Sequence, residues 1–143
     1  MRIAKVLEMK GGRVITVSPD ASVVEALRLL DAHEIGALVV SEDGVHAVGV
    51  LSERDLVRGM HRLGCEVRDL RVEVLMTPFR QVTTEEGTVD DVLAQMTEAR
   101  VRHVPVVSSG SLVGLVSIGD LVKVRMDELE AARRELVEYI SAR

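Results

Sequence analysis

Hydrophobic positions along this chain fall into two patterns: short unbroken runs, and stripes spaced three or four residues apart. Val14 to Val17 (VITV) is rich in β-branched residues and predicts a strand. SPDAS then supplies turn chemistry and a helix start. Val23, Ala26, Leu27 and Leu30 follow at helical spacing. Ala37 to Val40 (ALVV) is too short for a helix and reads as a buried strand. Glu42-Asp43-Gly44 is a turn, and Ala47 to Leu51 (AVGVL) is the next strand. Ser52 opens a helix with Leu56, Val57, Met60 and Leu63 on one side.

The same order then returns. Gln81 to Thr83 predicts a weaker strand, and Thr88 starts a helix carrying Val89, Val92, Leu93 and Met96. Val104 to Val107 (VPVV) is a strand, Ser109-Gly110 a turn, Leu112 to Val116 a strand, and Ser117 opens the last helix. Val23 and Leu27 match Val89 and Leu93 at an offset of 66. Gly49, Ser52, Asp55, Leu56 and Val57 match Gly114, Ser117, Asp120, Leu121 and Val122 at 65. One deletion in the turn before the third strand accounts for the difference. The predicted fold is α+β, a β-α-β-β-α unit occurring twice. Neither unit, at about 60 residues, could bury much surface alone. The two are expected to pack sheet against sheet about a pseudo-two-fold axis.

The doubled unit has SPDAS before its helix, RHVPVV on a middle strand, and G-h-h-S-x-x-D (h apolar) ending each third strand. This ordered set resembles a CBS-domain pair. VEVLMTP, Val72 to Pro78, is similar to the family's entry segment. The resemblance runs from about Val6 to Arg125. It implies a first repeat at 6–63, a linker at 64–71 and a second repeat at 72–125. Residues 126–143 extend the last helix.

Composition narrows the partners. At 47% hydrophobic and 29% charged, the chain of 143 residues has the makings of a real core. Its net charge of −5 argues against nucleic acid, which needs a basic face. Phe79 and Tyr139 are the only aromatic residues, so there is no stacking platform for single strands. Cys65 is the lone cysteine, which excludes an intrachain disulfide and fits a reducing compartment. No apolar run reaches the roughly 18 residues of a membrane span. The opening MRIAKVLEMKGG is too short and charged for a signal peptide. The expected location is the cytoplasm.

His33, His46, His61 and His103 show no metal-ligand spacing. No P-loop, GxGxxG or nucleophile motif is present. No catalytic residue, metal or catalytic cofactor is expected, and the chain does not read as an enzyme.

The plainest account of Ser52 and Asp55, and of Ser117 and Asp120, is a capping box at each helix start. The same geometry suits a ligand. A helix N-terminus presents free N–H groups to a phosphate, and a carboxylate one turn in can accept both hydroxyls of a ribose. The two accounts are compatible for one serine. CBS pairs bind adenosine derivatives in the cleft between repeats, so the resemblance implies Asp55 and Asp120 as ribose partners, with Ser52 and Ser117 beside them. It further implies an adenine held by Thr16, Val17, Ile35, Ala37 and Leu38 in the first repeat. The matching positions in the second are Val82, Thr83, Val101, Val104 and Pro105. Pro105 removes a ladder donor and predicts an edge or a broken pairing.

Arg102 and His103 occupy a position where some CBS pairs set basic residues against phosphates. Arg54 and Lys123 lie near the two aspartates in sequence and read equally well as solvated surface charges. The repeats differ. The first has Gly36-Ala37 where the second has Arg102-His103, and the second has TEEGT in place of SPDAS. These differences predict a better phosphate-bearing site in the second repeat. The first would take a different adenosyl ligand or stay empty.

After Asp120 the helical pattern continues to about Ile140. Val122, Met126, Leu129, Arg133, Leu136 and Ile140 form a heptad-like stripe broken by Arg133. It suits either a tail folded on its own domain or a helix against a partner subunit. The expectation is a stand-alone regulatory module, homodimeric, that binds AMP, ADP, ATP, NAD or S-adenosylmethionine and signals to an unidentified effector protein. A ligand-free structural dimerisation domain is the rival reading.

Overall fold

The computed structural model describes residues 1–142. It is a mixed α+β fold with a long C-terminal helix. The first β-α-β-β-α unit comprises β1 (Thr16–Val17), α2 (Val23–His33), β2 (Ala37–Ser41), β3 (Ala47–Ser52) and α3 (Glu53–Leu63). Helix α1 (Ile3–Lys10) precedes it. A 3₁₀ turn (Gly64–Asp69) and the short α4 (Val72–Leu75) lead into the second unit, α5 (Val89–Ala99), β4 (His103–Ser108), β5 (Ser111–Ser117) and α6 (Ile118–Ser141). Among the described residues, no helix is long and apolar enough to cross a membrane.

The predicted elements form, with one exception. β1, β2 and β3 make a three-stranded sheet, with β1 parallel and β3 antiparallel to β2. β4 and β5 pair antiparallel, but the strand expected at Gln81–Thr83 shrinks to a single bridge, Thr83 to Val106. Pro105 is the physical reason. In the first unit Val39 donates its N–H to the Ile15 carbonyl at 3.2 Å. Pro105 occupies the matching place on β4 and has no N–H to give. Thr83 still exchanges bonds with the Pro105 carbonyl and the Val107 N–H, and the pairing stops there. The proline thus breaks the pairing, one of the two outcomes predicted for it.

Each unit is completed by the helix that precedes the other. Ile3 and Val6 of α1 are buried with Val89, Val92, Met96, Val104, Val106, Val116, Leu121 and Val124 of the second unit. Val72 of α4 is buried with Val17, Ala26, Leu30, Leu38, Val40 and Leu51 of the first. Fully burying side chains of this size contributes about 1.5–3 kcal/mol each. The backbone matches the exchange. The N–H groups of Ile3 and Ala4 reach the Gly87 and Glu85 carbonyls, as those of Val72 and Glu73 reach Ala21 and Pro19. The N–H groups of Val89 and Val23 return to the Met1 and Leu70 carbonyls. A further bond joins the units directly, from Leu112 N–H to the Val45 carbonyl at 2.7 Å. Val45 is held in a turn organised by Asp43, whose Oδ1 accepts the Val45 and His46 N–H groups at 2.8 Å.

Gly49 and Gly114 make room for the exchanged segments. A Cβ at Gly49 would stand 2.8 Å from the Thr77 carbonyl oxygen, and one at Gly114 would stand 2.6 Å from a terminal carbon of Leu7. Backbone cannot yield as a leucine tip can. Gly49→Ala is therefore expected to lower unfolding stability by about 1–3 kcal/mol, and more than Gly114→Ala does. Urea denaturation of the two variants checks the order.

Candidate functional site

The repeated S-x-x-D lies where a third strand turns into a helix. Both copies form complete capping boxes. Ser52 N–H donates to Asp55 Oδ2 at 2.8 Å, and Asp55 N–H donates back to Ser52 Oγ at 3.3 Å. The corresponding bonds at Ser117 and Asp120 are 2.8 and 3.1 Å. The capping account is therefore correct for all four residues. It also sets each carboxylate, half-buried, at the N-terminal end of its helix.

The antiparallel register places the start of each middle strand opposite the capping serine. Ala37 faces Ser52, and His103 faces Ser117. Backbone closes the corner, since Glu53 N–H donates to the Gly36 carbonyl at 3.0 Å and Ile118 N–H to the Arg102 carbonyl at 2.9 Å. Ala37, Ser52 and Asp55 thus gather at one corner, and Arg102, His103, Ser117 and Asp120 at its counterpart.

The remaining predicted residues sit differently. Thr16 and Val17 pair with Val39 and Val40 on β2. Ile35 and Val101 are half-buried, each tied by its N–H to the preceding helix, at Leu30 and Met96. Leu38 and Val104 are fully buried in the cores of their units, so their side chains serve packing. Pro105 and Thr83 are buried, whereas Val82 is exposed. Arg54 and Lys123 are exposed and take no ion pair among the described residues, the behaviour of solvated surface charges.

Two residues not foreseen complete the corners. Thr77, just after α4, donates its hydroxyl to Asp55 Oδ1 at 3.1 Å. Lys10, the last residue of α1, donates its ammonium to Asp120 Oδ2 at 2.8 Å and to the Leu115 carbonyl at 2.9 Å. The exchanged entry segments bring both. A sequence signal existed, because Ile3, Val6 and Leu7 repeat the spacing of Val72, Leu75 and Met76 at an offset of 69.

Charge distinguishes the corners. Burial works to raise the Asp120 pKa, but the Lys10 ammonium and the Ser117 N–H outweigh it and hold the carboxyl below its ordinary range. Burial, and then the positive charge of Lys10, push His103 below the ordinary imidazole value. His103 also feels Asp120, Arg102 and, from the first unit, Glu53, so it stands where the two units meet. The ring favours its neutral form, and the cations of this corner are Lys10 and Arg102. The close approaches at Gly49 and Gly114 are taken up by Thr77 and Leu7. Beside the first corner, a groove of about 810 Å³ is lined by Leu27, Ile35, Gly36, Glu53, Leu56 and Met60, among others. Among the described residues, no cluster of metal-ligating side chains occurs.

Comparisons with known proteins agree with this architecture. The family model for the CBS domain matches residues 8–62 and again 67–127. A mitochondrial CBS domain-containing protein of Arabidopsis thaliana is 31% identical over 96% of this chain and 71% of its own length. The crystal structure of a CBS-domain containing protein from Agrobacterium tumefaciens is 40% identical, covers 87% of this chain and 99% of its own, and superposes with a TM-score of 0.83. A CBS domain protein from Pyrobaculum aerophilum, solved in complex with AMP, is 26% identical over 93% of this chain and 99% of its own, with a TM-score of 0.76.

A carboxyl whose folded pKa is depressed contributes stability above its unfolded pKa and loses it as pH falls through the folded value. Asp120→Asn should therefore cost about 1–2 kcal/mol near pH 7, from the weakened cap and lost ion pair. The gap to wild type should narrow as pH falls below the ordinary aspartate range, where the folded carboxyl begins to take up its proton. Urea titrations at pH 7 and pH 3 read it directly.

Proposed function

We propose that this chain, which belongs to the CBS domain family, is a regulatory module that binds an adenosine-containing ligand between its repeats and passes its occupancy to a partner protein. The observation that carries the reading is the second corner. There a helix N-terminus, a carboxylate able to take a ribose diol and the cations Lys10 and Arg102 stand together. N–H groups at a helix start and fixed cations suit a phosphate, and Asp120 suits the sugar. The relative of 26% identity in complex with AMP supports adenosine as the common part of the ligand. AMP, ADP, ATP, NAD and S-adenosylmethionine remain the candidates. The second repeat is the better phosphate site, since the first has Gly36-Ala37 in place of Arg102-His103.

The module is a binder, not an enzyme. Both serines are engaged in caps, and neither has a histidine among its hydrogen-bond partners. Binding would change the relative setting of the two units, or of α6, and another protein would read that change. The proposed location is the cytoplasm. The rival, a ligand-free dimerisation domain, is separated by ligand-dependent stability. Thermal unfolding with each candidate ligand should raise wild-type stability by about 2.7 kcal/mol at 100 times the dissociation constant. Asp120→Ala should abolish the gain, with a smaller effect from Asp55→Ala. No gain with any ligand, but lower stability in both variants, would leave the two motifs as caps alone. Loss of binding in Asp55→Ala with retention in Asp120→Ala would reverse the ranking of the two sites.

The module is also proposed to be a homodimer. Val57 and Met60 on α3 are 69% and 53% exposed beside Leu27 of α2, an apolar surface suited to a second copy. Sedimentation equilibrium should give a mass that falls from dimer towards monomer on dilution, and Val57→Glu should shift it to monomer. A monomer mass at every concentration would reject the dimer.

A further inference from the structure

We propose that Lys10 is a resident cation of the second corner, holding Asp120 while the site is empty and turning to the phosphate of an incoming nucleotide. The second repeat thereby selects phosphorylated adenosine ligands over unphosphorylated ones. The inference rests on the reading of Asp120 as the ribose partner.

The argument begins with the free valences of Asp120. A ribose diol brings two O–H donors and needs acceptor sites on the carboxylate. Oδ1 takes no hydrogen bond among the described residues, whereas Oδ2 already accepts from Ser117 N–H and Lys10, both at 2.8 Å. A vicinal diol spans a carboxylate with one O–H on each oxygen, so the hydroxyl that meets Oδ2 must compete with the ammonium already there. Displaced, Lys10 keeps only the Leu115 carbonyl and stands among the other groups whose charge His103 feels, Arg102 and Asp120. Adenosine offers the displaced ammonium nothing in return. A nucleotide offers it a phosphate, and a charge-assisted bond replaces the one that was lost.

The first corner lacks this device. Thr77 is neutral, and its hydroxyl can rotate from donating to Asp55 Oδ1 to accepting from a ribose O–H. Displacing it strands no charge. The selectivity is thus confined to one repeat by a residue outside the repeated S-x-x-D, delivered there by the helix exchange.

Lys10 is free to make the turn. It is the last residue of α1, its side chain is 40% exposed, and it is followed by Gly11 and Gly12, both at positive φ with open space around them. Four side-chain rotations carry its ammonium away from Asp120 without moving the helix.

The test is calorimetric titration of AMP and of adenosine into Lys10→Met and Lys10→Arg, both made in an Asp55→Ala background so that only the second corner reports. Relative to the background chain, Lys10→Met should bind adenosine more tightly and AMP more weakly. The ratio of the two affinities should fall by about tenfold or more. Lys10→Arg should keep the preference for AMP. If both affinities fall together with the ratio intact in Lys10→Met, the lysine is only structural and the proposal is overturned. If wild type binds neither ligand, the reading of Asp120 fails, and this inference fails with it. Thermal unfolding of each variant confirms that it is folded, and Lys10→Gln serves as a second neutral replacement.

Discussion

Each repeat completes its core with a helix that belongs to the other, and the rest of the structure depends on that exchange. Ile3 and Val6 fill the core of the second unit, and Val72 fills that of the first. A small β-α-β-β-α unit cannot close its own core, because too little of its surface is interior. The exchange supplies the missing apolar side chains from a neighbour and joins the units at the same time. It also explains the two glycines. Gly49 and Gly114 are bare where the incoming segments pass, Gly49 against backbone that cannot yield and Gly114 against a leucine tip.

The exchange reaches the candidate site as well. The capping boxes are local devices that any strand-to-helix turn can use. The partners of their aspartates are not local. Thr77 and Lys10 arrive on the exchanged segments, 22 and 110 residues from the carboxylates they meet. Two repeats with the same motif consequently acquire different chemistry. One aspartate meets a hydroxyl and the other an ammonium. The asymmetry seen along the middle strands, Gly36-Ala37 against Arg102-His103, is reinforced by these third partners. His103 adds less charge than its type suggests, because burial and Lys10 hold it neutral.

Much of this was legible in the pattern of residues. The two units, the capping serines and aspartates and the long last helix follow from local chemistry: β-branched runs, stripes at helical spacing, and Ser-x-x-Asp before an apolar run. Pro105 announced its own consequence, since a residue without an N–H cannot hold up a strand pairing. The length of β1 was less legible. Only Thr16 and Val17 pair regularly with β2 out of the run from Val14, because pairing length depends on how far a partner strand continues. The reason for Gly49 and Gly114 was not legible either, because the segments that crowd them, at Thr77 and Leu7, come from elsewhere in the chain.

By itself, the sequence determined the repeat, the order of elements and the two caps, because each rests on contacts within a few residues. The tertiary structure alone decided which helix closes which core, which atoms meet the two aspartates, and the ionisation of His103 and Asp120. Those depend on desolvation and on charges brought together from distant parts of the chain. Val72 was visible as part of an entry segment, but not that it serves the repeat already behind it. Lys10 carried no signal in the sequence, and only its place against Asp120 made it a partner of the site.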